Sequence, residues 1–408
     1  MPLSETQATR SEGLRRLLDF VPRAGRAYAA TRNYDHGPAD RSNVSTLSPY
    51  LRHRLITEAE VVGAVLGVHS FSAAEKFIQE VCWRTYWKGW LEQRPQIWVE
   101  YLDTLSRERT RLRDDIALAA RVAAAERGAT GIPCFDSWAL ELAETGYLHN
   151  HARMWFASIW IFTLRLPWVL GANFFYCHLL DGDPASNTLS WRWVAGLHTR
   201  GKTYLARPDN IATYTSGRFQ PGPEELQPFA VPLTDEPLPA SVRLPAVDAV
   251  VPNSKVVLLL TEEDLAPESW PLEGLLVVGV ALFRTAGCLH SPPVQLFKAA
   301  AIADASKRAV MHWSVPVCEI ESANALIAFS RKLSADCAVT SIIPVGHLKP
   351  QFARLAQSAE ASGLPVKQLM RRWDRLFWPH AKAGFFKLKV RIPAVLDTLA
   401  LDPQESLL

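Results

Sequence analysis

The sequence predicts an α + α/β protein: an all-helical part followed by a smaller α/β part built on a parallel sheet. Three observations carry this. Apolar and aromatic residues recur at helical spacing through residues 1–220, with no strand-like alternation. Eight prolines then fall within the 33 residues 220–252, a density that blocks helix interiors and central strands alike. After them, short β-branched runs alternate with helical segments, the pattern of parallel strands joined by helical crossovers. The expected organisation is a helical domain over 1–220, a proline-rich linker over 221–252 lying on a surface, and a Rossmann-like domain over 253–408.

In the helical part, residues 10–21 place leucines and Phe20 on one stripe. Residues 72–91 form a long aromatic helix with Ser72 as its N-cap. Helices follow over 136–144 and 149–164, separated by a stop at Thr145-Gly146, and a short one over 174–180. In the α/β part, strands are expected over 255–260, 275–282, 316–319 and 338–344, and helices over 295–310, 323–335 and 350–362. No Gly-x-Gly-x-x-Gly follows the first of these strands, so the dinucleotide fingerprint is absent.

Composition narrows the class. The chain has 408 residues, 48% hydrophobic and 21% charged, which is globular rather than disordered. A formal net charge of +3 is too small to mark a nucleic-acid binder by itself. Six cysteines, at 82, 134, 177, 288, 318 and 337, show no metal-ligand spacing and are expected to be reduced and mostly buried. The opening segment MPLSETQATRSEG is polar, unlike a signal peptide. The most apolar stretch, 154–180, is interrupted by Arg165 and Pro167, leaving 11 residues between Arg153 and Arg165, too few to span a bilayer. A cytoplasmic protein without a membrane partner is expected.

Four segments of the helical part are richer in chemistry-bearing residues than a core requires. Asn43-Val-Ser-Thr-Leu-Ser-Pro-Tyr-Leu51 places small hydroxyls beside a helix start, which suits a phosphate or a plain capping turn. Glu80, Trp83, Arg84 and Trp87 share one helix face, fit for a stacked ring system with polar edges or for a surface ion pair above packed indoles. Thr145-Gly-Tyr-Leu-His-Asn-His-Ala-Arg-Met154 sets Asn150 and Met154, and His149 and Arg153, one turn apart, with no carboxylate at metal-ligand spacing nearby. Leu180-Asp-Gly-Asp-Pro-Ala-Ser-Asn187 carries Asp181 and Asp183, suited to Mg²⁺, to a ribose or heterocycle, or to an arginine. Spacing alone does not choose among these.

Taken together and in order, these segments resemble the FAD-binding domain of DNA photolyases and cryptochromes over about residues 10–220. The resemblance implies a cofactor site of Tyr34, Ser45, Thr46, Leu47, Ser48, Arg84, Asn150, Arg153, Asp181, Asp183 and Asn187. By that likeness Asp181 pairs with Arg153, Asp183 accepts from the flavin ring and Asn187 approaches its N5. The lesion side would hold Glu80, Trp83, His151, Met154 and Trp193, with Glu80 and Asn150 catalytic. Trp191 and Trp168 match two members of the family's electron relay. No tryptophan stands near Leu112, where the third is expected, so Trp98 or Trp160 would replace it. The implied function is light-driven repair of cyclobutane pyrimidine dimers in single- or double-stranded DNA by reduced FAD, in a monomer without a metal. Asn150 and Met154 stand where (6-4) enzymes carry histidines, which favours the cyclobutane lesion.

The sequence departs from the family in three places. His151 replaces a usual arginine. The stretch after Trp193 reads Gly196-Leu-His-Thr-Arg-Gly-Lys-Thr-Tyr-Leu-Ala-Arg-Pro208 instead of the family's loop, though Lys or Arg at 192, 200, 202, 207 and 218 against Asp209 keeps it basic. The α/β part, which resembles an antenna domain for a folate- or deazaflavin-type chromophore, follows the helical part as if circularly permuted. Residues 349–391 hold ten Lys or Arg against Glu360 and Asp374, a face for DNA, for an anionic pigment or for solvent. Two further functions fit the same motifs: a cryptochrome-like blue-light photoreceptor without repair, and a non-catalytic nucleic-acid binder that keeps FAD as a structural ligand.

Overall fold

The computed structural model describes residues 8–234, 237–283 and 290–401. Residues 1–7 of the polar opening segment, Cys288, and the end of the α/β part at 402–408 lie outside them. Helix α1 (Arg10–Phe20) begins at Thr9, whose hydroxyl accepts from the Glu12 amide. The short α2 (Arg26–Thr31) and α3 (Ser48–Arg52) precede α4 (Glu58–Leu66), which opens on a reciprocal Thr57/Glu60 capping box. The aromatic helix α5 (Phe71–Glu92) is capped by Ser70, which accepts from Ala73, and not by Ser72. Ser72 already lies in the first turn, 3.2 Å from the Ser70 hydroxyl.

Then come α6 (Gln96–Asp114), α7 (Ile116–Glu126) and α8 (Pro133–Thr145). Gly146 ends α8 in the left-handed region at φ 67°, and a Cβ there would lie 2.6 Å from Leu180 Cγ. Helix α9 (Asn150–Ser158) passes into a π-helical turn, Ile159–Thr163, where the sequence suggests one continuous helix. The Ser158 hydroxyl there accepts from the Ala206 amide, which ties the turn to the loop after Trp193. Helix α10 (Trp168–His178) starts earlier than expected, directly after Pro167, and α11 (Pro184–Val194) and α12 (Pro208–Tyr214) complete this part. Among the described residues no strand precedes residue 255.

The proline-rich stretch forms no regular element among its described residues but is pinned to both parts. The Leu233 and Val242 amides donate to the Ala195 and Gln93 carbonyls, and Asp248 exchanges hydrogen bonds with Gln368.

The sheet contains β1 (Lys255–Leu260), β2 (Leu276–Phe283), β3 (Val317–Ile320), β4 (Cys337–Ser341) and β5 (Val366–Leu369), with α13 (Pro292–Trp313), α14 (Ala323–Lys332) and α15 (Leu348–Ala361) between strands. Its pairings are all parallel in the order β3-β2-β1-β4-β5, a doubly wound arrangement that reverses between β1 and β4. Residues 256–260 of β1 are all buried, as a strand covered on both faces requires. β5, unforeseen in sequence, is an edge strand whose Lys367 and Gln368 interrupt the apolar run.

Three short helices, α16 (Arg372–Phe377), α17 (Phe385–Lys389) and α18 (Ile392–Leu399), return the chain to α5. The Trp378 indole packs on Gly89 so closely that a Cβ there would lie 2.8 Å from its Cδ1. Buried ion pairs fix the register between the two parts. Arg52 makes a two-bond contact with Glu263 at 2.8 Å each, and Arg54 makes one with Asp374 at 2.7 and 2.8 Å.

Candidate functional site

A cavity of about 470 Å³ opens between α5, α9 and α11, within the size range of small-molecule sites. Glu80, Trp83, Arg84 and Trp87 line it from α5, on one face because residues three and four apart are neighbours on a helix. α9 contributes Asn150, His151, Arg153 and Met154. Asp181 and Asp183 come from the turn before α11, and Asn187, Trp191 and Trp193 from α11 itself. Ser45, Thr46, Leu47 and Ser48 close one end. Thr46 adopts φ 51°, a left-handed conformation that costs a β-branched residue strain and that clusters at ligand clamps.

Charge is arranged around the two aspartates. Asp181 pairs with Arg153 at 3.0 Å and with Arg84 at 3.7 Å. Burial alone would raise its carboxyl, but Arg153 and Arg84 hold it below the ordinary range. Arg84 Nη1 and Asp181 Oδ1 are buried without a hydrogen-bond partner, a donor and an acceptor left over on the cavity wall. Asp183 caps α11, accepting from the Ser186 amide at 2.8 Å and hydroxyl at 2.7 Å. Burial opposes its ionisation too, yet Lys88, Arg52 and Arg84 bring it down to about 2. Lys88 Nζ stands 3.9 Å from Asp183 and 3.5 Å from Glu263, joining the cavity floor to the end of β1. Asn187 donates its amide N–H to the Ala172 carbonyl at 2.7 Å, which leaves its Oδ1 as the open acceptor.

The other wall is more heavily engaged with the chain itself. Glu80 is ion-paired to Arg32 at 2.6 Å, and burial keeps its carboxyl raised despite that guanidinium. Trp83 is stacked face to face on Phe385 of α17, with ring centroids 3.7 Å apart and planes 12° apart. Trp193 lies 5.7 Å from the ring of Tyr204, a residue of the loop that departs from the family. His151 lines the cavity, but its Nδ1 faces the Asn33 carbonyl and its Nε2 the Tyr204 hydroxyl. Both ring nitrogens are thus taken within the chain, and neither is left for a nucleic acid.

Two expected site residues lie elsewhere. Tyr34 does not line the cavity; its ring stacks on His36 and edges onto Tyr214, while Tyr28 and Tyr147 line the wall instead. Trp168 sits outside the cavity against Tyr101, with centroids 5.7 Å apart. The indole in contact with Trp191 is Trp160, fully buried at 6.3 Å, edge to face. The basic stretch around Trp193 is partly engaged within the chain: Arg192 is buried, Arg207 pairs with Asp209 and Arg218 with Asp35. Arg32 was missed because it stands 48 positions from Glu80 with no motif around it; Tyr147 lies inside a segment already singled out. Among the described residues, no cluster of three or more His, Cys, Asp or Glu is placed to hold a metal ion. No described helix is long and apolar enough to cross a membrane.

Residues 77–218, which run from α5 past α12, match the family model described as FAD binding domain of DNA photolyase. The helical part carries a photolyase-type FAD-binding domain. Curated relatives include the deoxyribodipyrimidine photo-lyase of Streptomyces griseus, 33% identical over 194 residues that cover 44% of this chain and 41% of the relative. That of Agrobacterium fabrum is 34% identical over 190 residues, 45% of this chain and 37% of the relative. The chain thus aligns with about two fifths of the length of these relatives. A solved bacterial class III photolyase from Agrobacterium tumefaciens aligns at a TM-score of 0.42 and 28% identity, over 51% of this chain and 43% of that one. The photolyase-type match takes in the α5, α9 and α11 walls but begins after Tyr34 and the Ser45–Ser48 segment.

Proposed function

We propose that this chain binds FAD in the cavity between α5, α9 and α11 and repairs cyclobutane pyrimidine dimers in DNA under blue light. The observation that carries this is a single cavity holding both halves of the needed constellation. On one side are Arg84, Arg153, Asp181, Asp183 and Asn187, with an unpartnered donor on Arg84 and an unpartnered acceptor on Asp181. On the other are Glu80, Trp83, Asn150, Met154 and Trp193. The first set suits the polar edge of a flavin, and the Ser45, Thr46, Leu47 and Ser48 segment its diphosphate. Reduced FAD, when bound, supplies the light-driven electron that dimer cleavage needs.

The chain's own work is to position and enclose. Arg153 and Asp181 fix each other, so the Arg84 guanidinium and Asn187 Oδ1 stay aimed at a ring edge. The indoles of Trp83 and Trp193 give flat apolar walls for a pyrimidine dimer flipped from the stack. The Glu80 carboxyl, released from Arg32, accepts or shares a proton with a pyrimidine edge. Trp191 and the buried Trp160 behind it give an aromatic path away from the cavity, which replaces the Trp168 step. An antenna chromophore of folate or deazaflavin type would have to sit away from the reversal between β1 and β4. There Arg52, His53 and Pro184 of the helical part press against Glu263, the Glu262 carbonyl and Gly346. We read the helical-then-α/β order as a rearrangement of the family's usual one.

A photoreceptor without repair is favoured by one observation: Glu80 is held by Arg32 and Trp193 is flanked by Tyr204, so the lesion wall is partly satisfied from within. Blue light on the fully reduced protein with a dimer-containing oligonucleotide decides between the two. Recovery of thymine absorbance is the expected result; none would leave the photoreceptor. Colourless protein that also rejects added FAD would remove both.

A further inference from the structure

A cluster of cations that no ion pair among the described residues engages lies outside the photolyase-type domain, in the C-terminal segment around α17. From Arg375 to Leu396 the sequence has five Lys or Arg and no acid. α17 turns Phe385 and Leu388 inward, both nearly fully buried. Its outer face presents Phe386 and Val390, 77% and 70% exposed, together with Lys387 and Arg391 one turn apart. Lys382 is exposed just before it. Among the described residues no ion pair engages Lys382, Lys387 or Arg391; the neighbouring Lys389 pairs with Glu75 at 3.2 Å. Lys382 and Arg391 lie close enough to His380 that, beyond its partial burial, their charge depresses its basicity, as expected of a cationic cluster without a counter-ion.

This segment adjoins the lesion-side wall. Phe385 is stacked on Trp83, and the Tyr86 hydroxyl donates to the Ala383 carbonyl at 2.8 Å while meeting His198 Nε2 at 3.1 Å. Tyr86 therefore joins the residues just before α17 to the rewritten loop after Trp193, and its own ring lies 5.5 Å from that of Trp83. In and after that loop Arg207 pairs with Asp209 and Arg218 with Asp35, whereas Lys382, Lys387 and Arg391 make no ion pair among the described residues.

We propose that the α17 face forms an added wall of the nucleic-acid groove, with Lys382, Lys387 and Arg391 holding backbone phosphates and the Phe386 ring packing on a base beside the lesion. A polyanion with flat apolar faces is the partner that matches bare cations interleaved with an exposed ring. The inference rests on the DNA reading above and extends it to residues outside the matched domain.

The test is binding of a dimer-containing oligonucleotide, single- and double-stranded, followed by fluorescence anisotropy across a salt series. For the triple variant Lys382→Gln, Lys387→Gln, Arg391→Gln we expect affinity at low salt to fall about tenfold or more. We also expect the slope of log K against log salt to become shallower by roughly 2 to 3, since each lost phosphate contact removes close to 0.9 on duplex. Phe386→Ala should weaken binding about tenfold at unchanged slope. Bound flavin and the unfolding midpoint should match wild type, because all four side chains are exposed. Wild-type binding that both variants reproduce in affinity and slope would overturn this inference alone. A wild-type chain that binds neither strand form would overturn the DNA reading with it. A wild-type dimer that Phe386→Ala converts to a monomer would make the face a contact between copies, which also overturns it.

Discussion

Lys88→Met isolates the link between the flavin-type cavity and the sheet. The substitution keeps the length of the side chain and removes one charge from between Asp183 and Glu263, which are 2% and 5% exposed. Stripping a buried ion of every partner costs about 3–5 kcal/mol. Here each carboxylate keeps other partners: Ser186 for Asp183, and the two-bond Arg52 contact for Glu263. The carboxyl of Asp183 is held at about 2. Against an ordinary value near 4, the depressed carboxyl contributes about 2.5 kcal/mol of stability at neutral pH, net of the burial that opposes its ionisation. Lys88 is the strongest of the stabilising charges and also serves Glu263, so a loss of about 2 kcal/mol is expected at pH 7.

The sign of the pH dependence follows from the depressed carboxyl. Its contribution is complete above the unfolded value near 4 and disappears as pH falls through about 2. Urea unfolding of wild type and variant, followed by tryptophan fluorescence from pH 7 down to pH 2.5, should therefore show a gap that is full at pH 7 and narrows below about pH 4. A gap under about 0.5 kcal/mol at pH 7, or one that stays constant with pH, would refute the electrostatic role of Lys88.

Three other outcomes are expected. Arg153→Ala leaves Asp181 with the 3.7 Å contact to Arg84 as its one remaining ion pair among the described residues, and flavin-to-protein absorbance after purification should fall several-fold with the fold intact by circular dichroism. Gly146→Ala meets both φ 67° and Leu180 at 2.6 Å, so the unfolding free energy should drop by about 1–3 kcal/mol, measured in urea. Trp160→Phe should slow light-driven reduction of bound flavin about tenfold or more in a stopped illumination experiment, whereas Trp168→Phe should leave it within about twofold, because Trp160 and not Trp168 contacts Trp191.

What the sequence makes legible is whatever helical spacing or a contiguous segment decides. Glu80, Trp83, Arg84 and Trp87 fall on one face because the helix period puts them there. Asp181, Asp183 and Asn187 sit within one segment whose turn and cap are local. The four strands that read as apolar runs are found, the first with its ends unchanged and the others moved by one to three residues, while β5 is hidden by the lysine and glutamine that an edge strand tolerates. The misses are long-range. Arg32 reaches Glu80 from another helix, Glu263 reaches Lys88 from the sheet, and Phe385 covers Trp83 from some 300 positions away. The displacement of Tyr34 by Tyr28 and Tyr147 is of the same kind, since α2 and the α8–α9 turn meet only when the cavity forms.

Those long-range contacts explain what the α/β part does for a cavity that it does not line. Arg52, Arg54 and Lys88 belong to the helical part, and each is buried. Buried cations are tolerable only with carboxylates beside them. The principal ones, Glu263, Asp264 and Asp374, come from the end of β1 and from α16, with Glu58 and Asp183 adding to them. A doubly wound sheet ordinarily opens a ligand crevice at the carboxyl ends of its strands where their order reverses. Here that edge meets Arg52 and Pro184 instead, so the geometry that would seat a nucleotide seats the helical part. Because Lys88 carries this contact on to Asp183, the sheet fixes the charge of a cavity residue without lining the cavity. The position of the sheet in the chain, before or after the helices, is then immaterial to that role; what matters is that the carboxyl end of β1 reaches α3 and α5.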